Sequence, residues 1–245
     1  MRLDYGALWS EAVDMIGRHR SAATALAGAL FFLPALVVGY FAPAPPYDPA
    51  ANLFETMIAH ARAHWPLILA GTLAEMLGML TLLRLFLKPD GRTVGAAIAA
   101  SLALLPTTFA ATFLANVATA IGFMLLIVPG VYLVGRLALV ASAIVAEDEK
   151  NPIAAIRRSV AVTRGFGFGL ALLFLTIFIL ASLASFAMSS ALGSVAILVA
   201  GGDLGRLVAE MAGASVWAAA RLVQAALAAR LYLRLASSSA SASGT

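Results

Sequence analysis

Residues 93–146 read TVGAAIAASLALLPTTFAATFLANVATAIGFMLLIVPGVYLVGRLALVASAIVA, and their only charged side chain is Arg136. A helix needs roughly 20 apolar residues to cross the hydrocarbon core of a bilayer. Fifty-four residues are too many for one crossing and suit two, with a short apolar lead-in. Two adjacent crossings point to a polytopic membrane protein, and the rest of the chain repeats the pattern.

The whole sequence of 245 residues is 62% hydrophobic and 11% charged, with a mean hydropathy of +0.96. A soluble domain carries roughly 25% charged residues, so a water-soluble globule is excluded. A disordered chain is excluded too, because it lacks apolar residues rather than charges. The net charge of +4 would suggest nucleic acid in a soluble protein. Here the bases flank apolar runs, where they set orientation, and no nucleic-acid partner is expected. The absence of cysteine removes disulfides, thiolate nucleophiles and Cys-based metal sites. The preference for arginine over lysine, with abundant alanine, suggests a GC-rich bacterial genome.

Outward from the opening stretch, the breakers divide the chain. The sequence predicts an all-α bundle of about six transmembrane helices with interfacial amphipathic helices, in one membrane domain over 1–236. Residues 3–19 alternate at helical spacing, with Tyr5, Leu8, Trp9, Ala12, Met15 and Ile16 on one face and Asp4, Glu11, Asp14 and Arg18 on the other. That pattern suits a helix lying in the interface. The spans are expected at about 22–41, 65–86, 106–127, 130–146, 166–188 and 208–232. Three acids in the first twenty residues argue against a cleaved signal, so span one reads as a retained anchor.

Between the spans, residues 42–52 with four prolines read as a loop, about 51–63 as a short helix, and Lys88–Arg92 as a polar turn. Residues 94–105 read as an interfacial helix before Pro106 starts span three. Pro129-Gly130 then makes the outer turn; the rival division puts that turn near Asn116 and leaves Pro129 as a kink. Asn151-Pro152 opens another interfacial helix, residues 189–205 read as a Gly/Ser-punctuated connection, and the Ser/Ala tail 237–245 is expected to be disordered. Ala96-Ala97-Ile98-x-x-Ser101 recurs fifty-eight residues later as Ala154-Ala155-Ile156-x-x-Ser159. This echo suggests an interfacial helix plus a two-span hairpin, used three times.

Counting bases orients the bundle. With a cytoplasmic N-terminus, twelve bases fall inside (Arg2, Arg18, Arg20, Arg84, Lys88, Arg92, Lys150, Arg157, Arg158, Arg164, Arg230 and Arg234) and two outside (Arg62 and Arg206). The positive-inside rule then predicts that both termini are cytoplasmic.

Chemistry is sought first among charges inside spans, which cost about 2.5–3.5 kcal/mol to insert and are functional candidates by default. These are Glu75, Arg136 and Arg221. Glu75 is expected to pair with Arg221 or Arg136, either to fix packing or to line a substrate or proton site. His60 and His64 share a helical face, but the glutamate of a zincin motif is missing, so no metal site is expected. Tyr47-Asp48 and Gly201-Gly202-Asp203 fail the paired-aspartate pattern of intramembrane proteases, since position 200 is alanine. No serine-protease or phosphate-loop signature is present. Lys150, Arg157, Arg158 and Arg164 could hold lipid headgroups at the inner leaflet or simply set topology.

Residues 122–165 carry the most specific pattern. GFMLLIVPGV at 122–131, with Pro129 and Gly130, leads to Leu133, Arg136 and, eleven residues on, Glu147; then come Ala154, Ala155, Ile156, Arg158, Ser159, Thr163, Arg164 and Gly165. This resembles the YciC-like family of uncharacterised bacterial six-span proteins. It is similar also to the membrane domain attached to some glycerophosphodiester phosphodiesterases. The chain departs from the family at Ala141-Ser142-Ala143, where a proline is common, and at Phe166 or Phe168, where a tryptophan is common. The resemblance implies a role in envelope homeostasis. It does not carry the phosphodiesterase activity, whose barrel needs roughly 250 residues of its own. The reading is therefore a non-enzymatic inner-membrane protein, without cofactor, that supports envelope or lipid homeostasis. Its expected partners are membrane lipids, with a membrane-protein partner or homo-oligomer open. The alternative is a transporter or channel for a small molecule or lipid, with Glu75, Arg136 and Arg221 lining a cavity.

Overall fold

The computed structural model describes residues 4–45, 48–49, 52–88 and 93–243. Among them there are helices and no strands: α1 (Tyr5–Arg18), α2 (Arg20–Phe41), α3 (Leu53–Leu87), α4 (Val94–Leu125), α5 (Ile127–Glu147), α6 (Pro152–Val162), α7 (Gly167–Ala200) and α8 (Gly202–Ser243). Six of these, α2, α3, α4, α5, α7 and α8, are long and apolar enough to cross a membrane. The all-α, six-span architecture expected from the sequence is thus present. Tyr47, the polar turn at 89–92, and Arg2 lie outside the described residues.

Small residues set how closely the helices approach. In α2 against α3, a Cβ at Gly71 would lie 2.7 Å from Val38, and one at Gly78 would lie 2.7 Å from the Phe31 ring. In α7 against α8, Ser185 and Ser189 donate to the carbonyls of Gly213 and Ala209 at 3.2 and 2.9 Å. In a bilayer the lipid gives helices no hydrophobic reason to associate, so close packing and such interhelical bonds hold the pairs. The core gathers at one end, where Leu8, Ala12 and Met15 of α1 join Leu80, Leu82 and Leu83 of α3, Ile144 and Val145 of α5, and Leu227 and Leu231 of α8. Tyr5 and Trp9 on the apolar side of α1 stay about half exposed, so the protein covers only part of that face.

Several boundaries differ from the sequence expectation. The short helix near 51–63 and span two form one helix, α3, through Pro66; the interfacial segment 94–105 and span three likewise form α4 through Pro106. Membrane helices tolerate interior prolines, because neighbouring groups re-satisfy the freed carbonyls. Pro34 is accommodated differently: the turn before it, Gly28–Phe32, widens to π geometry. The wider turn relieves the clash of the ring with the carbonyl four residues back. The connection 189–205 is helix apart from a break at Gly201, whose φ of +92° favours glycine. The Ser/Ala tail continues α8 to Ser243, although five of its residues 237–243 are serine, only a middling helix former.

The turn between α4 and α5 lies at Leu126 (φ −166°, ψ 155°), three residues before Pro129-Gly130 and ten after Asn116. Pro129 occupies the first turn of α5, where its missing N–H has no helical partner to lose. Gly130 serves packing instead, since a Cβ at Gly122 would lie 3.1 Å from its Cα. The tip is wholly apolar, and Met124, Leu125, Leu126, Ile127 and Val128 are all exposed.

The two copies of the internal echo bury the same positions, Ala97 with Ser101 and Ala155 with Ser159. They differ at their C-terminal ends. The first copy runs unbroken into α4, while the second ends at Thr163, and Gly165 (φ +85°) redirects the chain into α7.

Candidate functional site

The sequence nominated three charges within spans, and the structure brings two of them together. Glu75 of α3 and Arg221 of α8 form an ion pair at 3.2 Å, each side chain about a quarter exposed. The Trp217 indole N–H donates to the other Glu75 oxygen at 3.3 Å, and Arg221 donates to Gln224 at 2.8 Å. The Arg221 guanidinium also lies 6.0 Å from the Phe31 ring centroid and 5.9 Å from that of Trp217. Two small cavities flank it. One, of about 160 Å³, is lined by Thr108, Thr112, Ser142, Arg221 and Gln224 among apolar side chains. The other, of about 150 Å³, lies against Phe178, Trp217, Arg221 and Gln224.

Arg136 stands apart and lines neither cavity. Helix α5 breaks at Ala138–Leu139, and the carbonyl of Arg136 falls in the last turn before the break. Last-turn carbonyls lack helical donors. Ser159 of α6 donates to this one at 2.8 Å, with the Thr163 hydroxyl 3.2 Å away and shared with the Ser159 carbonyl. The Ser159 and Thr163 of the family-like pattern therefore clamp α6 onto the α5 break. The guanidinium lies 5.5 Å from the Tyr132 ring centroid, and its Nη1 is buried with no hydrogen-bond partner. Beside it α5 and α7 meet almost backbone to backbone. A Cβ on Gly135 would run into the Gly167 carbonyl and lie 2.7 Å from the Ala171 nitrogen.

The end of the bundle where α5 gives way to α6 is laced by ion pairs. Asp148, left-handed at φ +49°, caps α5 and takes Arg84 at 2.5 Å and Lys88 from α3. Glu147 accepts from Arg158 of α6 at 2.5 Å and from the Tyr232 hydroxyl of α8 at 2.8 Å. The Glu147 carboxylate foremost, and the Tyr232 hydroxyl beside the pair next, hold the Arg158 guanidinium above the ordinary arginine range. Glu11 pairs with Arg234, tying α1 to α8. Asp148, Tyr232 and Glu11 carried no local signal in the sequence, since their partners are sixty or more residues away.

Of the four bases nominated for lipid, only Arg158 is engaged by an acid. Lys150, Arg157 and Arg164 are exposed and have no acidic partner among the described residues. Lys150 contributes its backbone, whose carbonyl accepts from Thr107 at 3.1 Å. His60 and His64 stack with ring centroids 4.9 Å apart. No group of three His, Asp or Glu converges among the described residues. Asp203 lies in the first turn of α8, exposed. No protein-family model, curated protein or solved structure matches this chain.

Proposed function

We propose that this chain is a non-enzymatic, multi-pass protein of a bacterial inner membrane that supports envelope or lipid homeostasis by holding anionic lipid at its cytoplasmic face. The observation that carries this reading is an imbalance among the bases at one end of the bundle. Arg84, Lys88, Arg158 and Arg234 each have a carboxylate partner, while Lys150, Arg157 and Arg164 have none among the described residues. A base near an anionic leaflet contributes about 1 kcal/mol. Three together are worth roughly a hundredfold in lipid retention at low salt. The YciC-like resemblance and the twelve-to-two distribution of bases support the same reading and the same orientation.

The test is retention of phosphatidylglycerol by the purified protein, compared with a K150Q/R157Q/R164Q variant. The proposal expects a large, salt-sensitive loss in the variant, and equal retention by both proteins would overturn it. A second reading, a transporter or channel, draws on the two cavities flanking Arg221. Each has room for about five waters at roughly 30 Å³ apiece. Glu75 neutralises Arg221, and Arg136 lies elsewhere, so the three charges line no common path.

A further inference from the structure

We infer that Arg136 and the first turn of α7 form a binding site for a phosphate group. The inference deepens the lipid-holding reading and rests on it for the source of the phosphate, but it uses different residues. Arg136 is only 9% exposed, and its Nη1 is buried without a partner. No carboxylate pairs with it among the described residues. A buried cation with no counter-charge carries a large desolvation penalty, which an arriving anion relieves.

The side chain runs along the start of α7. A Cβ on Gly167 would lie 3.0 Å from Arg136 Cδ and 2.7 Å from the Tyr132 ring, so glycine is what lets the arginine pass. Helix α7 has Phe166 at its N-cap, a residue with no side-chain oxygen to satisfy the first amides. The first amide bonded there is that of Leu170, to the Phe166 carbonyl; the N–H groups of Gly167, Phe168 and Gly169 find no acceptor among the described residues. Unsatisfied amides at the positive end of a helix dipole attract anions. Here the Arg136 side chain, whose buried Nη1 has no partner, passes the same turn at Gly167.

The surroundings suit a phosphate. Tyr132 lies under the guanidinium and packs against Phe168 at 5.3 Å between centroids, shielding one side. The Tyr5 hydroxyl of α1 reaches Gly169, where a Cβ would lie 2.8 Å from it, so a further donor stands at the same turn. Arg164 is exposed three residues ahead of α7. A phosphate offers its unesterified oxygens, two in a diester and three in a monoester, to the arginine fork and the free amides, and it carries the charge that the unpaired guanidinium lacks.

Thermal unfolding of the detergent-purified protein is measured with inorganic phosphate, with phosphatidylglycerol and with phosphatidylcholine. Bound phospholipid is counted in parallel by mass spectrometry. The proposal expects one phosphate-bearing ligand held after extensive washing, with about tenfold or greater weakening in Arg136→Gln. Arg136→Lys, which keeps the charge but not the fork, should retain part of the affinity. Stabilisation by inorganic phosphate names a free anion as the source, and stabilisation by lipid alone names a headgroup. A wild-type protein that neither holds a phosphate nor is stabilised by one overturns the proposal, whatever the folding of the variants. Binding retained in a folded Arg136→Gln protein but lost in K150Q/R157Q/R164Q would sink this site and leave the lipid-holding reading standing. The reverse pattern would sink that reading and keep the site.

Discussion

Replacing Glu75 by leucine removes the counter-charge of Arg221 and leaves a cation among Phe31, Trp217 and the α3–α8 interface. Breaking a buried pair by deleting one partner costs about 3–5 kcal/mol. The value here should fall below that range. Both side chains are about a quarter exposed, and Arg221 keeps its bond to Gln224 and its two aromatic neighbours. Roughly 2–3 kcal/mol is expected for Glu75→Leu, which also strands the Trp217 N–H, and a similar figure for Arg221→Leu. The double replacement should return to within about 1 kcal/mol of the parent, because apolar pairs of similar volume substitute well for ion pairs. The assay is reversible unfolding in mixed micelles by denaturing detergent, read by tryptophan fluorescence and far-ultraviolet dichroism. Additive losses in the double variant would show that the two residues act separately and that the pairing argument is wrong. Single variants as stable as the parent would refute it as well.

Gly135→Val should fail to assemble or lose more than about 3 kcal/mol, because backbone of α7 occupies the space a side chain needs; normal thermal stability would contradict that close approach. Asp148→Ala should cost about 2 kcal/mol in the same unfolding assay, since it leaves the buried Arg84 without a counter-charge and puts alanine at a left-handed position. Asp148→Asn should cost less, as asparagine tolerates that backbone. Arg158→Gln should cost no more than about 1 kcal/mol, given that both partners are over a third exposed, and should show mainly as faster proteolysis at 148–151. The pKa of Arg158 is raised above the ordinary arginine range, so its share of stability should be flat from about pH 6 to 9 and fade only in strong alkali. A slope across that window in the parent, absent from Arg158→Gln, would contradict this.

Composition and hydropathy were enough for the fold class, because a chain with so few charges has one solvent in which it can fold. The crossings were legible for the same reason, and their ends were not. Pro106 reads as the start of an element, as it does in water, and span two reads as beginning at about 65, yet Pro106 and Pro66 both lie inside continuous helices. The Gly/Ser stretch after 188 read as a connection, whereas Ser189 within it bonds α7 to α8, as Ser185 does one turn earlier. Among the site residues, Glu75 and Arg221 could be nominated because a charge inside a span stands out on its own. Which base Glu75 would choose could not be read, since that depends on how helices pack far apart in sequence. The hydroxyl clamp on the Arg136 carbonyl was hidden more deeply, as it needs a helix break that no glycine or proline at 138–139 announces.

The tip of the α4–α5 hairpin bears on how the protein enters its membrane. From Ile121 to Gly130 there is no polar side chain, and Pro129 removes one of the amides that the turn would otherwise leave bare. A pair of helices closed by such a tip has little to dehydrate as it is threaded across the bilayer. The polar ends, Asp148 with its two bases on one leg and Thr93 on the other, lie at the opposite end of the hairpin from the tip. Such a hairpin presents to a bilayer an apolar tip with no polar loop to dehydrate.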